Sequence, residues 1–338
     1  MKNISLISLA IVAIILFTYS CKKNEQVDPL YYSNNGSVTN QITSSIQEFF
    51  NENKEESQFF TVDASSYNMV EGNQGIRIYF NPNSFKDQNG QIISGNVDIE
   101  LIEIMTKSEM IHSNKPTNYP GNPNDPNDDE ILVSGGEFYI NATQNGADLV
   151  LNNQAQVRIP VDNPVYNMEV FTGTASDDIG MEWALDDSSN VTVTLDSTGG
   201  VAPFWYDFPL NDFGWINCDY FMGNTGPKVR LDVSLNGLSG INDTNTVVFI
   251  VLPNVNSIGR CYNRYYDVST NSVIVDGLYH FSGIPVGTSI TLLAISKINN
   301  DYYYATINST ISSSNPNMEN LPMTATTLAD INTFINNL

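Results

Sequence analysis

From Gln58 onward, apolar and polar residues alternate at a spacing of two between turns rich in Asn and Gly, which directs the chain toward antiparallel sheet. Gly75-Ile76-Arg77-Ile78-Tyr79-Phe80 shows the pattern plainly, and Asn89-Gly90 supplies a hairpin signal. Val97, Ile99 and Leu101 then point one way while Asp98, Glu100 and, after a phase slip, Glu103 point the other, so the sheet has one wet side. Similar stretches at Phe59–Asp63, Asp148–Leu151, Gln156–Val161, Met181–Leu185 and Val191–Leu195 predict a first β-sandwich over residues 58–200. Lys228–Val233, Thr246–Leu252, Gly277–Phe281, Ile290–Ile295 and Tyr302–Ile307 predict a second over residues 226–322. Between them, residues 201–225 hold the densest aromatic cluster and are expected to join the two domains.

Two helices flank the strands. Ile42, Ile46, Phe49 and Phe50 recur at helical spacing and place a short amphipathic helix within residues 41–57. Thr327-Leu328-Ala329-Asp330 reads as a capping box that opens a C-terminal helix over residues 323–338, with Leu328, Ile331, Phe334, Ile335 and Leu338 on one face. The expected fold class is therefore mainly β, two β-sandwich domains in tandem with a short N-terminal helix and a C-terminal amphipathic helix.

The beginning of the chain reads as an address. Lys2 and an apolar run from Ile4 to Phe17, broken only by Ser5 and Ser8, have the build of a secretory signal peptide over residues 1–20. The run is shorter than the roughly 20 residues that a membrane span requires. Ser20 followed by Cys21 resembles the bacterial lipobox, although Thr18 and Tyr19 stand where the usual pattern prefers Leu and a small residue. Cys21-Lys22-Lys23-Asn24 is similar to the mature start of lipoproteins from Bacteroidetes. The resemblance implies acylation of the Cys21 thiol and an outer-membrane location, with the periplasmic or cell-surface face left open. The competing reading is an ordinary signal peptide that leaves Cys21 as a free thiol. Residues 21–40, polar and Asn/Ser-rich with Pro29 and Gly36, form a flexible tether.

The formal charge of −23, which becomes −24 when Lys2 leaves with the leader, excludes nucleic acid as a partner. Lys and Arg number 14 against 37 acids, too few to hold an anionic bilayer electrostatically. A solubilising coat explains the acidity more simply than a ligand does. The Pro-rich loop at residues 121–130 brings Asp125, Asp128 and Asp129 together as weak calcium candidates. It lacks the ligand alternation, mid-loop Gly and late Glu of an EF-hand, so no metal and no cofactor is assigned.

Catalytic signals are sparse. The chain has two histidines, His112 and His280, placed in different predicted domains, and carries no nucleophile elbow, zinc helix or phosphate loop. Paired carboxylates remain the one enzymatic route left open by composition. Cys218 and Cys261 form an even pair for a disulfide in an oxidising compartment, or else pack as two buried thiols. Trp205, Tyr206 and Trp215 offer either a platform for sugar rings or an apolar wedge between the domains, and the wedge is favoured.

Gly75–Phe85, Asp87–Gly90 and Gly95–Leu101 resemble a β-sandwich domain shared by ankyrins and netrin receptors. With Ser108–Ile111, Lys115–Thr117 and Ser134–Ile140, they also resemble the opening domain of uncharacterised Bacteroidetes surface lipoproteins. Phe281 to Gly287 is similar to a corner of prealbumin-like modules such as the carboxypeptidase regulatory domain. These resemblances imply folds used for contact rather than catalysis. The expected function is a membrane-anchored envelope lipoprotein with a non-catalytic binding or scaffolding role toward an envelope protein or polysaccharide. The alternative is a carbohydrate-binding or glycan-hydrolysing surface lipoprotein.

Overall fold

The computed structural model describes residues 45–120, 129–176, 180–196, 204–223, 226–262, 278–314 and 316–338. The signal peptide, Cys21 and the tether lie outside these residues, as do Asp125 and Asp128. The alternating stretches pair into four main sheets and a two-stranded ribbon. From edge to edge, the first sheet runs through Gln58–Asp63, Asn96–Ile104, Glu130–Gln144, Gly214–Phe221, Glu169–Ser176 and Gly180–Asn190. The second runs through Thr192–Leu195, Phe204–Leu210, Ala155–Val161, Arg77–Phe80 and Asn68–Glu71. Their inner faces share one core, which includes Ile78, Phe80, Val97, Ile99, Leu101, Phe138, Val157 and Phe208. The one-wet-side pattern is met at residues 97–101, with Val97, Ile99 and Leu101 fully buried, but Glu103 is buried as well, its carboxylate accepting from the Gln74 and Ile76 N–H groups at 2.8 and 2.9 Å.

The third and fourth sheets follow in the chain. Leu278–Pro285, Lys228–Asn236 and Asn317–Pro322 make the third, and its last pair is parallel. Ile258–Cys261, Thr246–Val251, Ser289–Ile298, Asp301–Thr310 and Thr324–Thr326 make the fourth. All six residues of Thr246–Val251 are buried because each face of this strand meets a different core. Val248 and Ile250 join the apolar layer toward the third sheet, while Val247, Phe249 and Val251 meet the helices. A strand covered on both faces reads as a continuous apolar run rather than an alternating one.

Those helices are α1 (Ile46–Asn53), α2 (Lys107–His112) and α3 (Leu328–Ile335). Ser45 caps α1 by accepting from the Gln47 N–H at 3.2 Å, and Thr327 caps α3 by accepting from the Asp330 N–H at 3.1 Å. The Asp330 carboxylate accepts from the Thr327 hydroxyl at 2.7 Å. The predicted face of α3 packs as expected, with Ile331 and Ile335 buried and Leu328, Phe334 and Leu338 partly so. The sequence reading did not foresee α2. Its signal was present in Thr106-Lys107-Ser108-Glu109, a full capping box in which the Glu109 carboxylate accepts from the Thr106 N–H at 3.0 Å.

Segment 105–118 is keyed to the fourth sheet by polar contacts. Thr117 donates its N–H and its hydroxyl to the Ile258 carbonyl at 2.9 and 2.8 Å. Asn118 exchanges two hydrogen bonds with the Arg260 backbone at 3.0 and 2.7 Å, and Arg260 reaches the Asn114 side chain at 3.0 Å. Residues 43–338 hold together as one unit.

One expectation is corrected here, and of the two alternatives for the cysteines the free thiols are found. Residues 204–221 are not a join: Phe204–Leu210 and Gly214–Phe221 are interior strands of the second and first sheets. Their aromatic density reflects side chains sent to both faces of two strands. Cys218 and Cys261 are both free and buried, one in the core of the first two sheets and the other in that of the third and fourth.

Candidate binding face

The outer face of the second sheet carries side chains that its inner face has no use for. Along each strand, every second residue enters the core, and the intervening residues line up across the sheet by register. Glu71 lies opposite Arg77, Arg77 opposite Arg158, Arg158 opposite Asp207 and Asp207 opposite Thr192. One row of four charged side chains thus crosses the sheet. On one side runs the row Met69, Tyr79, Gln156 and Pro209; on the other stand Pro160, Trp205 and Thr194.

Like charges directly opposite one another destabilise a sheet, and the two arginines are compensated at either end. Arg77 bonds Glu71 at 3.1 Å, and Arg158 bonds Asp207 at 2.7 and 3.4 Å and the Thr194 hydroxyl at 3.0 Å. The Thr194 hydroxyl also donates to Asp207. The bond that Arg77 donates to Glu71 holds its guanidinium above its ordinary pKa against the opposing effect of burial. For Arg158, burial lowers the value, but the Asp207 hydrogen bond and charge raise it further.

Both guanidinium groups lie over Trp205, with Arg77 4.6 Å and Arg158 5.0 Å from the ring centroid. Such cation–π contacts contribute ~0.5–2 kcal/mol each, more as water is excluded. Beneath the arginines Trp205 is only 4% exposed. Its Nε1–H and the Nε–H of Arg77 are buried without an acceptor. Donors left unpaired in this way cost ~1–3 kcal/mol each. Beside this cluster Tyr67 and Tyr79 stack with centroids 6.2 Å apart, and Tyr67 and Met69 are largely exposed.

Trp205, Tyr206 and Trp215, weighed as a sugar platform against the favoured apolar wedge, do not come together on one face. Trp205 and Tyr206 are successive strand residues and point to opposite faces. Tyr206 is in the core, where its hydroxyl accepts from the Val165 N–H at 2.8 Å. Trp215 is on the outer face of the first sheet, 5.4 Å from Tyr139 and under Lys115 at 4.8 Å. Sequence reasoning did find Trp205. It missed Tyr67, Tyr79, Arg77 and Arg158, which only strand register brings to it.

Carboxylates with strongly shifted pKa lie elsewhere, in the seam over the outer face of the first sheet. Glu137 and Asp219 are fully buried, with Asn217 directly across from Glu137. Burial, and then the neighbouring Asp219 charge, push the Glu137 carboxyl well above the usual range, and neither of its oxygens has a hydrogen-bond partner. Burial pushes Asp219 up to about 8, although the Asn217 amide donates to it at 2.5 Å.

An open cleft of about 390 Å³ at one end of the first two sheets is lined by Leu185, Asp186, Asp187, Asn211 and Asp212. Burial raises the pKa of Asp186, but hydrogen bonds from Ser188, Ser189 and Asn211 outweigh it and hold the carboxylate ionised below its usual range. A general acid needs the opposite shift. Among the described residues, no group of three or more His, Cys, Asp or Glu is placed to hold a metal ion. Asp129 directly precedes the strand Glu130–Gln144. His280 lies on the third sheet opposite Asp232, where burial and Arg230 lower its pKa to about 4.

No protein-family model matches this sequence, and no curated protein matches it.

Proposed function

We propose that this chain is a lipid-anchored envelope protein that binds a partner non-catalytically through the outer face of its second sheet. The Ser20-Cys21 lipobox resemblance supports the anchor, and residues 21–40 would hold the folded part clear of the membrane. The observation that carries the binding role is the Arg77–Trp205–Arg158 stack beside the exposed Tyr67. Rigid aromatic and arginine side chains on a braced sheet are the residues that dominate binding energies at protein surfaces. The strongly shifted acids Glu137 and Asp219 are sealed in the seam, out of substrate's reach, which favours binding over hydrolysis. The resemblance to Bacteroidetes surface lipoproteins points the same way.

The test uses the full chain in a Bacteroidetes host. A fatty-acid label should enter the wild-type chain and be lost with membrane attachment in Cys21→Ala; an unlabelled wild-type chain would contradict the anchor. A photo-crosslinking side chain in place of Tyr67 should form an adduct with an envelope component. Adducts only from a control position, in place of Tyr166, would contradict the binding face.

A further inference from the structure

We infer that the ligand of this face is a neutral, hydroxyl-rich glycan chain. The inference rests on the binding-face reading above and names its ligand class.

Charge selects first. Glu71, Arg77, Arg158 and Asp207 sum to zero, and each arginine is closed onto its own acid. The mature chain around them carries −24, so a polyanion finds no surplus positive charge here and is repelled by the remainder. A polycation finds no surplus acid on the row either. A neutral partner meets neither penalty.

Hydrogen-bonding chemistry narrows the class further. The partly exposed Arg77 and Arg158 guanidinium groups donate, whereas the Glu71 and Asp207 carboxylates accept. A ligand whose every group both donates and accepts suits such a mixed row, and hydroxyls do this. The flanking row adds flat apolar surface, since Tyr67 is 63% and Met69 46% exposed beside Tyr79. Ring C–H faces pack on such surface while ring hydroxyls reach the charged row. A protein partner fits less well, because both arginines, which a protein interface would use, are already bonded to their own acids.

The experiment is affinity gel electrophoresis of the chain from Lys22, which retains the whole unit 43–338. Galactomannan, xyloglucan and amylopectin serve as neutral probes, and polygalacturonate and alginate as anionic ones. The inference expects retardation by at least one neutral polymer and by neither anionic one. Tyr67→Ala and Arg77→Gln should each weaken that retardation at least 10-fold, and Met318→Ala, exposed on the third sheet, should leave it unchanged. Tyr67 is exposed, so its variant should keep the wild-type unfolding midpoint and report on binding alone. Retardation only by the polyanions, neutral retardation indifferent to Tyr67 and Arg77, or no retardation by any of the five would overturn the inference. In that last case, an envelope protein crosslinked from position 67 would leave the binding face standing and replace its ligand class.

Discussion

Arg77 lies 4.6 Å from the centroid of the Trp205 ring, although 127 positions separate the two in the chain. Register alone brings them together, because Arg77 pairs with Arg158 and Pro160 pairs with Trp205. Replacing Arg77 by Ala removes a cation–π contact and uncovers the indole, at a cost of about 1 kcal/mol. Urea denaturation of Arg77→Ala should show that modest loss with an unchanged slope. A loss beyond about 3 kcal/mol would mean that the arginine holds the sheet rather than the ligand.

Seam acidity makes stability depend on pH with a definite sign. In the unfolded chain Asp219 loses its proton near its ordinary value of 3.8, while in the folded chain it keeps the proton up to about 8. Between those values the folded state binds more protons, so stability falls as pH rises, by up to about 1.4 kcal/mol per pH unit for one group. Above about 8 this contribution is constant, and below about 4 the penalty is absent. Asp219→Asn should therefore be more stable than wild type at pH 7.5 and should flatten the decline from pH 5 to 8. Parallel pH profiles for the two proteins would contradict the assignment.

Gly173 makes room for the neighbouring strand. A Cβ there would stand 2.6 Å from the Met181 sulfur, 2.7 Å from the Trp183 ring and 2.9 Å from the Trp215 Cβ. Trp183 is fixed by its Nε1–H bond to the Pro116 carbonyl at 2.9 Å and has little freedom to yield. Gly173→Ala should cost ~1–3 kcal/mol by overpacking, read as a lowered denaturation midpoint. Wild-type stability in this variant would show that the first sheet is loosely packed at its outer face.

Both thiols should be silent in the native protein. Burial, with smaller effects from Asp219 and Asp232 respectively, raises the Cys218 and Cys261 pKa values and suppresses the reactive thiolate. Ellman's reagent should find neither in the folded chain from Lys22 and both after denaturation. Finding neither after denaturation without reductant would restore the disulfide.

Much of the fold was legible because period-two alternation records burial directly, as at Ile76, Ile78 and Phe80, all fully buried. Thr327 and the apolar stripe behind it likewise marked α3. The aromatic stretch at 204–221 was misread for a physical reason: interior strands of two facing sheets send large side chains both ways, and the same density would mark a seam. The candidate face could not be read in advance. Glu71, Arg77, Arg158 and Asp207 look like unrelated surface charges until antiparallel pairing sets them in one row.

The most direct measurement of the central claim is the indole N–H spectrum of the ¹⁵N-labelled chain from Lys22 during titration with oligosaccharides of the retained neutral polymer. Of its three tryptophans, Trp205 stands on the second sheet, whereas Trp183 and Trp215 share one cluster on the first. The Trp205 signal should shift as the ligand settles on the Arg77 and Arg158 guanidinium groups that cover its ring, while Trp183, bonded to Pro116, stays fixed. A shift confined to Trp183 or Trp215, with Trp205 unmoved at saturation, would place binding on the first sheet and contradict the account.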